Sequence, residues 1–214
     1  MKTFKQYITE YSSFDPGVEE RMYNLGYKFL GKGVDQMTFK KPAETFVVKI
    51  FGTNSRGYSQ DHKMFIDWFD YCKKNPSNKF LPKIHDWKPF DWTDDFGDSR
   101  YLQIKMEMLK PVPREWVNAL TALAAFVENN YRNDKELKNM INKVKSLDRD
   151  GPMHDQYAKL MLILDGEKDF DLLVSTLKEL FKIGAKKGWD WDLHPGNFML
   201  RGDSTPVIVD PWVV

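Results

Sequence analysis

Apolar positions along the chain repeat with two periods, and the switches between them outline the elements. Phe4 and Ile8, four apart, suggest a short polar helix at the start. Asp15-Pro16 reads as a helix start, Asp as N-cap and Pro at the first helical position, with Val18, Met22 and Leu25 turned inward. The character then changes. Tyr27-Lys28-Phe29-Leu30, Met37-Thr38-Phe39 and Phe46-Val47-Val48-Lys49-Ile50-Phe51 are β-branched and aromatic. Gly31-Lys32-Gly33 follows the first run and Lys41-Pro42-Ala43-Glu44 precedes the third as a turn, so the segment predicts a β meander. Residues 59–74 return to helical spacing, with Phe65, Trp68, Phe69 and Cys72 in one stripe. Two more strands are predicted around Ile84 to Phe90 and Tyr101 to Met108. Between them Asp91 to Ser99 holds four Asp and a Gly, which predicts an exposed loop.

From Pro111 onward the period is mainly that of a helix. Trp116, Leu120, Leu123, Val127 and Tyr131 form one stripe, Tyr157, Leu160, Met161 and Leu164 a second, and Phe170, Leu173, Leu177, Leu180 and Phe181 a third. Lys186 and Lys187 fall in the last turn of the third, and Gly188 reads as its C′ stop. The charged stretch Asn133 to Asp150 reads as a solvated helix face plus a loop. The last residues hold two short strands, Phe198-Met199-Leu200 and Val207-Ile208-Val209, joined by a Gly202-Asp203 turn. The expected fold class is α+β with two lobes. The expected divisions are an N-terminal helical extension over 1–25, a β-rich lobe with one helix over 26–110, and a mainly helical lobe ending in a hairpin over 111–214.

Composition narrows the function classes. The 214 residues are 42% hydrophobic and 14% aromatic, enough for a core. The formal net charge of +1 gives no case for nucleic acid or for an acidic membrane surface. No run approaches the roughly 20 apolar residues of a spanning helix, and the N-terminus lacks the apolar stretch of an export signal. The one cysteine, Cys72, cannot form an intrachain disulfide or a Cys-rich zinc site and reads as a buried small hydrophobe. The expectation is a cytoplasmic protein without a membrane partner. His62, His85 and His154 stand singly and read as surface or satisfied residues. Trp87, Trp92 and Trp116 read as core or lobe-interface residues.

Three pieces carry candidate chemistry. Leu30-Gly31-Lys32-Gly33-Val34 sets two glycines after a strand, where backbone N–H groups can approach phosphate oxygens with no Cβ in the way. By itself the piece also reads as an ordinary turn. Lys49 stands in the middle of an apolar strand, and a buried ammonium needs an anion beside it. The competing reading is an edge strand whose alternation turns Lys49 to water. The third piece is Asp190-Trp191-Asp192-Leu193-His194-Pro195-Gly196-Asn197 with Val207-Ile208-Val209-Asp210. A hairpin would return Asp210 beside Asn197. One Asp with one Asn is a hard oxygen pair suited to Mg²⁺ that also holds substrate phosphates. Asp192 would remain free to take a proton from a hydroxyl. A rival chemistry, a transition metal held by Asp190, Asp192 and His194, is weakened by alternating positions that point to opposite sides and by the lack of a second nearby His.

On these residues the sequence resembles the protein-kinase-like superfamily, over about residues 26–212. Asp192-Leu193-His194-Pro195-Gly196-Asn197 resembles the catalytic loop, most closely in its aminoglycoside-phosphotransferase-like form. Val209-Asp210 resembles the metal-binding Asp that opens Asp-Phe-Gly, Lys49 the strand lysine, and Gly31 with Gly33 the Gly-rich loop. Glu107 and Met108 end a strand where the family has its adenine-binding hinge. The resemblance implies an ATP- and Mg²⁺-dependent phosphotransferase acting on a hydroxyl of a small molecule or a protein. It gives Asp192 the part of base, Asn197 and Asp210 the metal, and Lys49 the α/β-phosphates.

The departures from that pattern point elsewhere. The helix after Lys49 has no Glu to pair with it. Asp61, four before Phe65, lies on the expected inner face and is the candidate partner. Asp190-Trp191 stand where His and Arg usually precede the catalytic Asp, and Pro211-Trp212 replace Phe-Gly. No activation segment follows before Val214, so a peptide-docking surface is not expected and the helical residues 111–188 would have to build any acceptor site. These departures motivate an alternative, an inactive kinase-like (pseudokinase) module that acts through a protein partner. The opening Met1-Lys2-Thr3-Phe4 with Tyr7 and Glu10 resembles the start of some tailed-bacteriophage proteins. That implies an infected host cytoplasm or a virion, and a host protein partner.

Overall fold

The structure, a computed structural model, describes residues 16–33, 36–52, 60–94, 97–145 and 154–213; the side chains at 16, 60–62, 90, 92–94, 97–100, 140, 143, 144 and 154 are outside the described set. The chain is α+β, and it divides into two compact units, Met1–Pro76 with Lys83–Met108, and Ser77–Pro82 with Leu109–Val214. No helix among the described residues is long and apolar enough to cross a membrane.

The first unit is an antiparallel sheet covered by helices. Strands β1 (Lys28–Lys32), β2 (Gln36–Lys40), β3 (Phe46–Phe51), β4 (Ile84–Asp94) and β5 (Gly97–Glu107) run in the order β1-β2-β3-β5-β4. Successive strand residues point to opposite faces. Val48 and Ile50 of β3 join Met37, Phe39 and Tyr101 in a cluster with Val18 and Met22 of helix α1 (Pro16–Asn24). On the other face, Phe51 packs at ring-centroid distances of 4.5 Å and 5.6 Å on Phe65 and Phe69 of helix α2 (Gln60–Lys74). Covering both faces makes β3 almost continuously apolar, and each such buried side chain contributes about 1.5–3 kcal/mol.

The second unit packs helices against two small sheets. After β6 (Lys110–Pro111) come α3 (Arg114–Asn130), α4 (Asp134–Lys145), α5 (His154–Met161) and α6 (Glu167–Lys187). Their stripes meet as the spacing requires: Leu120, Leu123 and Val127 are buried, as are Leu173, Leu177 and Leu180, and Tyr157 stands edge-on to Phe170 at 5.0 Å. Gly188 ends α6 in the left-handed region, φ 73°, as its position predicts. Then follow β7 (Asp190–Trp191), a 3₁₀ turn (Pro195–Asn197), β8 (Phe198–Leu200), β9 (Pro206–Ile208) and β10 (Trp212–Val213). One sheet runs β6-β8-β9 and the other pairs β7 with β10. The segment Ser77–Pro82 is fastened into this unit: Arg201 donates to the carbonyls of Lys79 (2.7 Å) and Leu81 (3.0 Å), and Asn78 donates to Thr176 Oγ1 at 2.8 Å.

Several expectations are corrected. Leu25 lies past the end of α1 and is 52% exposed. Most of Asp91 to Ser99 is strand: β4 and β5 pair through Asp94 opposite Gly97. Cross-strand pairing there overrides the poor strand propensity of Asp. Gly31 lies within β1, where the register slips between Phe29 and Gly31, so this glycine belongs to a bulged strand, and Gly33 lies just past the strand's end. The last hairpin turns at Gly202-Asp203 as expected, and Ser204 after it adopts the left-handed region, φ 68°. The helix over 16–24 belongs to the core of the first unit rather than to an extension, and the Phe4/Ile8 helix lies outside the described residues. Cys72 is buried as expected, and burial pushes its thiol pKa up.

Candidate active site

The Asp192 loop is held by what precedes and follows it. Leu193, Phe198, Val207 and Ile208 are buried and fix its two ends. The Asp192 N–H donates to the carbonyl of Pro211 at 3.0 Å, and the Val209 N–H donates to the carbonyl of Asn197 at 3.0 Å. Asp210 is thus flanked by one residue bonded to the Asn197 backbone and one bonded to the Asp192 backbone. The structure brings the three predicted residues of this loop and hairpin together.

Asn197 is 7% exposed, and a buried amide has to spend its hydrogens. Its Nδ2 donates to the carbonyl of Asp192 at 2.6 Å and approaches Asp192 Oδ2 at 3.3 Å. That orientation leaves Oδ1 as the amide's acceptor. Asp192 keeps a side chain 38% exposed, with Oδ2 3.8 Å from His194 Nε2. Behind the loop, Trp212 inserts against α6. Its Nε1 donates to the Leu180 carbonyl at 3.1 Å, and Trp189 packs on it at 5.1 Å. Pro211 and Trp212 therefore have structural work of their own, in backbone bonding and core packing. Sequence reading missed it, and a Trp two residues after Asp210 was the available signal.

The other predicted residues belong to the first unit. Lys49 is half-buried on the central strand, opposite Thr38 and Ile104, so the edge-strand reading is overturned. Strand alternation puts it on the Phe51 face, the one α2 covers. Asp61 lies in α2, and its side chain is outside the described residues. Gly31 and Gly33 close the β1–β2 hairpin, with the Gly33 N–H donating to the Gln36 carbonyl at 2.8 Å. Burial lowers the pKa of Lys32, between the two glycines, and Glu19 partly offsets this. Glu107 ends β5, where its carboxylate accepts from the Lys83 N–H at 2.8 Å. Met108 is 41% exposed, and the chain passes from one unit to the other after it.

Among the described residues no group of three or more His, Cys, Asp or Glu is placed to hold a metal ion, so Asp190, Asp192 and His194 do not form the rival site. Asn197 with Asp210 supplies two oxygen donors, a set that suits Mg²⁺ only with phosphate and water oxygens completing the shell. A cavity of about 600 Å³ in the second unit is lined by Tyr131, Arg132, Trp189, Asp190, Trp191 and Trp212 among others. Asp192 does not line it, so it is not where Asp192 would meet an acceptor.

No protein-family model matches the chain, and no solved structure does. The chain is similar to glutamate–tRNA ligase 2 of Koribacter versatilis (strain Ellin345), 26% identical over 129 residues. The match covers 57% of this chain and spans 26% of the length of that protein.

Proposed function

We propose that the chain is a kinase-like phosphotransferase that moves the γ-phosphoryl group of ATP to a hydroxyl of a small molecule or a protein. The observation that carries this reading is the gathering of Asp192, Asn197 and Asp210 by the backbone bonds on either side of Asp210. Asp192 accepts the hydroxyl proton as the new O–P bond forms and the bond from phosphorus to the β–γ bridging oxygen breaks. Asn197 Oδ1 and the Asp210 carboxylate hold Mg²⁺, which when bound neutralises phosphate charge. Lys49 meets the α/β-phosphates, a part that rests on the resemblance and on its half-buried place in the central strand. Positioning and charge neutralisation are most of what phosphoryl transfer asks of a protein. The stretch shared with the tRNA ligase is too small a part of that protein to bring its activity here.

The test is a thermal-shift titration with ATP, with and without Mg²⁺, on wild type and Asp210→Ala, followed by turnover assays on Asp192→Ala and Asp192→Asn. A ligand that binds only the native state raises Tm by mass action. A Mg²⁺-dependent rise lost in Asp210→Ala, with turnover lost in both Asp192 variants, is the expected result. Full activity in the Asp192 variants would sink the reading. Nucleotide binding without turnover would favour the inactive module, for which the absence of Glu from α2 is the motivating observation.

A further inference from the structure

His194 has no part in the chemistry set out above, yet its half-exposed ring makes two specific contacts within the loop. Its Nδ1 accepts the Gly196 N–H at 2.9 Å, which caps the 3₁₀ turn. A Cβ on Gly196 would stand 2.7 Å from His194 Cε1 and 3.1 Å from Nδ1, so the ring folds over the turn only because residue 196 is glycine. Because Nδ1 is an acceptor, the proton of the neutral ring is on Nε2. That nitrogen faces Asp192 Oδ2 at 3.8 Å, an electrostatic contact longer than a hydrogen bond. The same Oδ2 is approached by Asn197 Nδ2 at 3.3 Å, while no described contact uses Oδ1.

We infer that His194 is a positioning residue for Asp192: with Asn197 it anchors Oδ2, so that Oδ1 is presented to the acceptor hydroxyl. The inference rests on the phosphotransfer reading for its consequence but not for its geometry. The imidazole acts through Asp192 and touches neither nucleotide nor acceptor. Losing it lets the carboxylate rotate away, which lowers kcat and leaves KM for ATP unchanged.

Two variants separate this role from the capping role. His194→Asn keeps a side-chain oxygen to accept the Gly196 N–H but removes the group facing Asp192. Gly196→Ala keeps the imidazole and displaces it. Both are expected to retain the wild-type Tm within a few degrees and to lose between about 10- and 100-fold in kcat for Mg²⁺-ATP turnover, as small misplacements of a catalytic group do. Wild-type kcat in both would overturn the inference. A second readout needs no activity. In the ¹⁵N-histidine NMR spectrum, His194 is expected as the Nε2–H tautomer, with an Nε2 signal that moves in Asp192→Ala. An Nδ1–H tautomer, or an unmoved signal, would overturn it. If the wild-type protein turns over no ATP, the phosphotransfer reading fails by itself, and the NMR measurement still decides whether His194 holds Asp192.

Discussion

A Cβ on Gly184 would stand 2.9 Å from Nε1 of Trp212. That indole is 2% exposed and donates to the Leu180 carbonyl one turn earlier on the same helix. Gly184 is therefore where α6 admits the strand that follows Asp210. Gly184→Ala forces the ring or the helix to shift, with an expected cost of about 1–3 kcal/mol. Thermal unfolding should show it as a fall in Tm of roughly 2–4 °C per kcal/mol for a chain of this size. An unchanged Tm would mean that the indole is not seated against the helix.

Arg201 clamps the segment Ser77–Pro82 through two carbonyls, those of Lys79 and Leu81. Arg201→Ala should destabilise by about 1.5–3 kcal/mol, the range for hydrogen bonds to a charged group. Arg201→Lys should recover little, because a single ammonium cannot reproduce the planar fork. Denaturant titration of the three proteins at constant m-value checks both statements. Full rescue by lysine would show that charge alone holds the segment.

Asp203 tightens the last hairpin. Its Oδ1 accepts the Thr205 N–H at 2.9 Å, and bonding to Thr205 holds its carboxyl below the ordinary value of 3.8. A depressed carboxyl pKa contributes stability that is present above the unfolded value and lost as pH falls through the folded one. The Tm difference between wild type and Asp203→Ala should be largest near neutrality and shrink below about pH 4. A difference that grew on acidification would contradict the assignment.

Lys49 can be tested apart from folding. Lys49→Met keeps most of the apolar stem and drops the ammonium from the half-buried position on β3. Circular dichroism should show a folded protein, while the Mg²⁺-ATP-dependent rise in Tm should disappear. A retained rise would remove Lys49 from the nucleotide site.

Much of the local structure was legible because it follows from short-range physics. The stripes Phe65-Trp68-Phe69-Cys72 and Phe170-Leu173-Leu177-Leu180 announce helices through their 3.6-residue period, and Gly188 announces the end of one. The Asp192, Asn197 and Asp210 spacing was legible for a similar reason, since a hairpin between Phe198 and Ile208 returns the chain on itself. Asp91 to Ser99 was misread because its composition suits a loop, and only the partner strand makes it β.

The sequence by itself thus determined the α+β class, the helix stripes and the spacing of the residues in the Asp192 loop, all of which depend on neighbours within a few positions. Tertiary structure decided the rest. Lys49 became a central-strand residue because β5 pairs on its far side, and Ser77–Pro82 joined the second unit because Arg201 reaches its carbonyls. Trp212 became the anchor of the strand after Asp210 because Gly184 leaves room for it. Each of these joins residues far apart in the chain, and no periodicity encodes such a pairing. It arises when packing and hydrogen-bond satisfaction select one arrangement of elements that local preferences leave open.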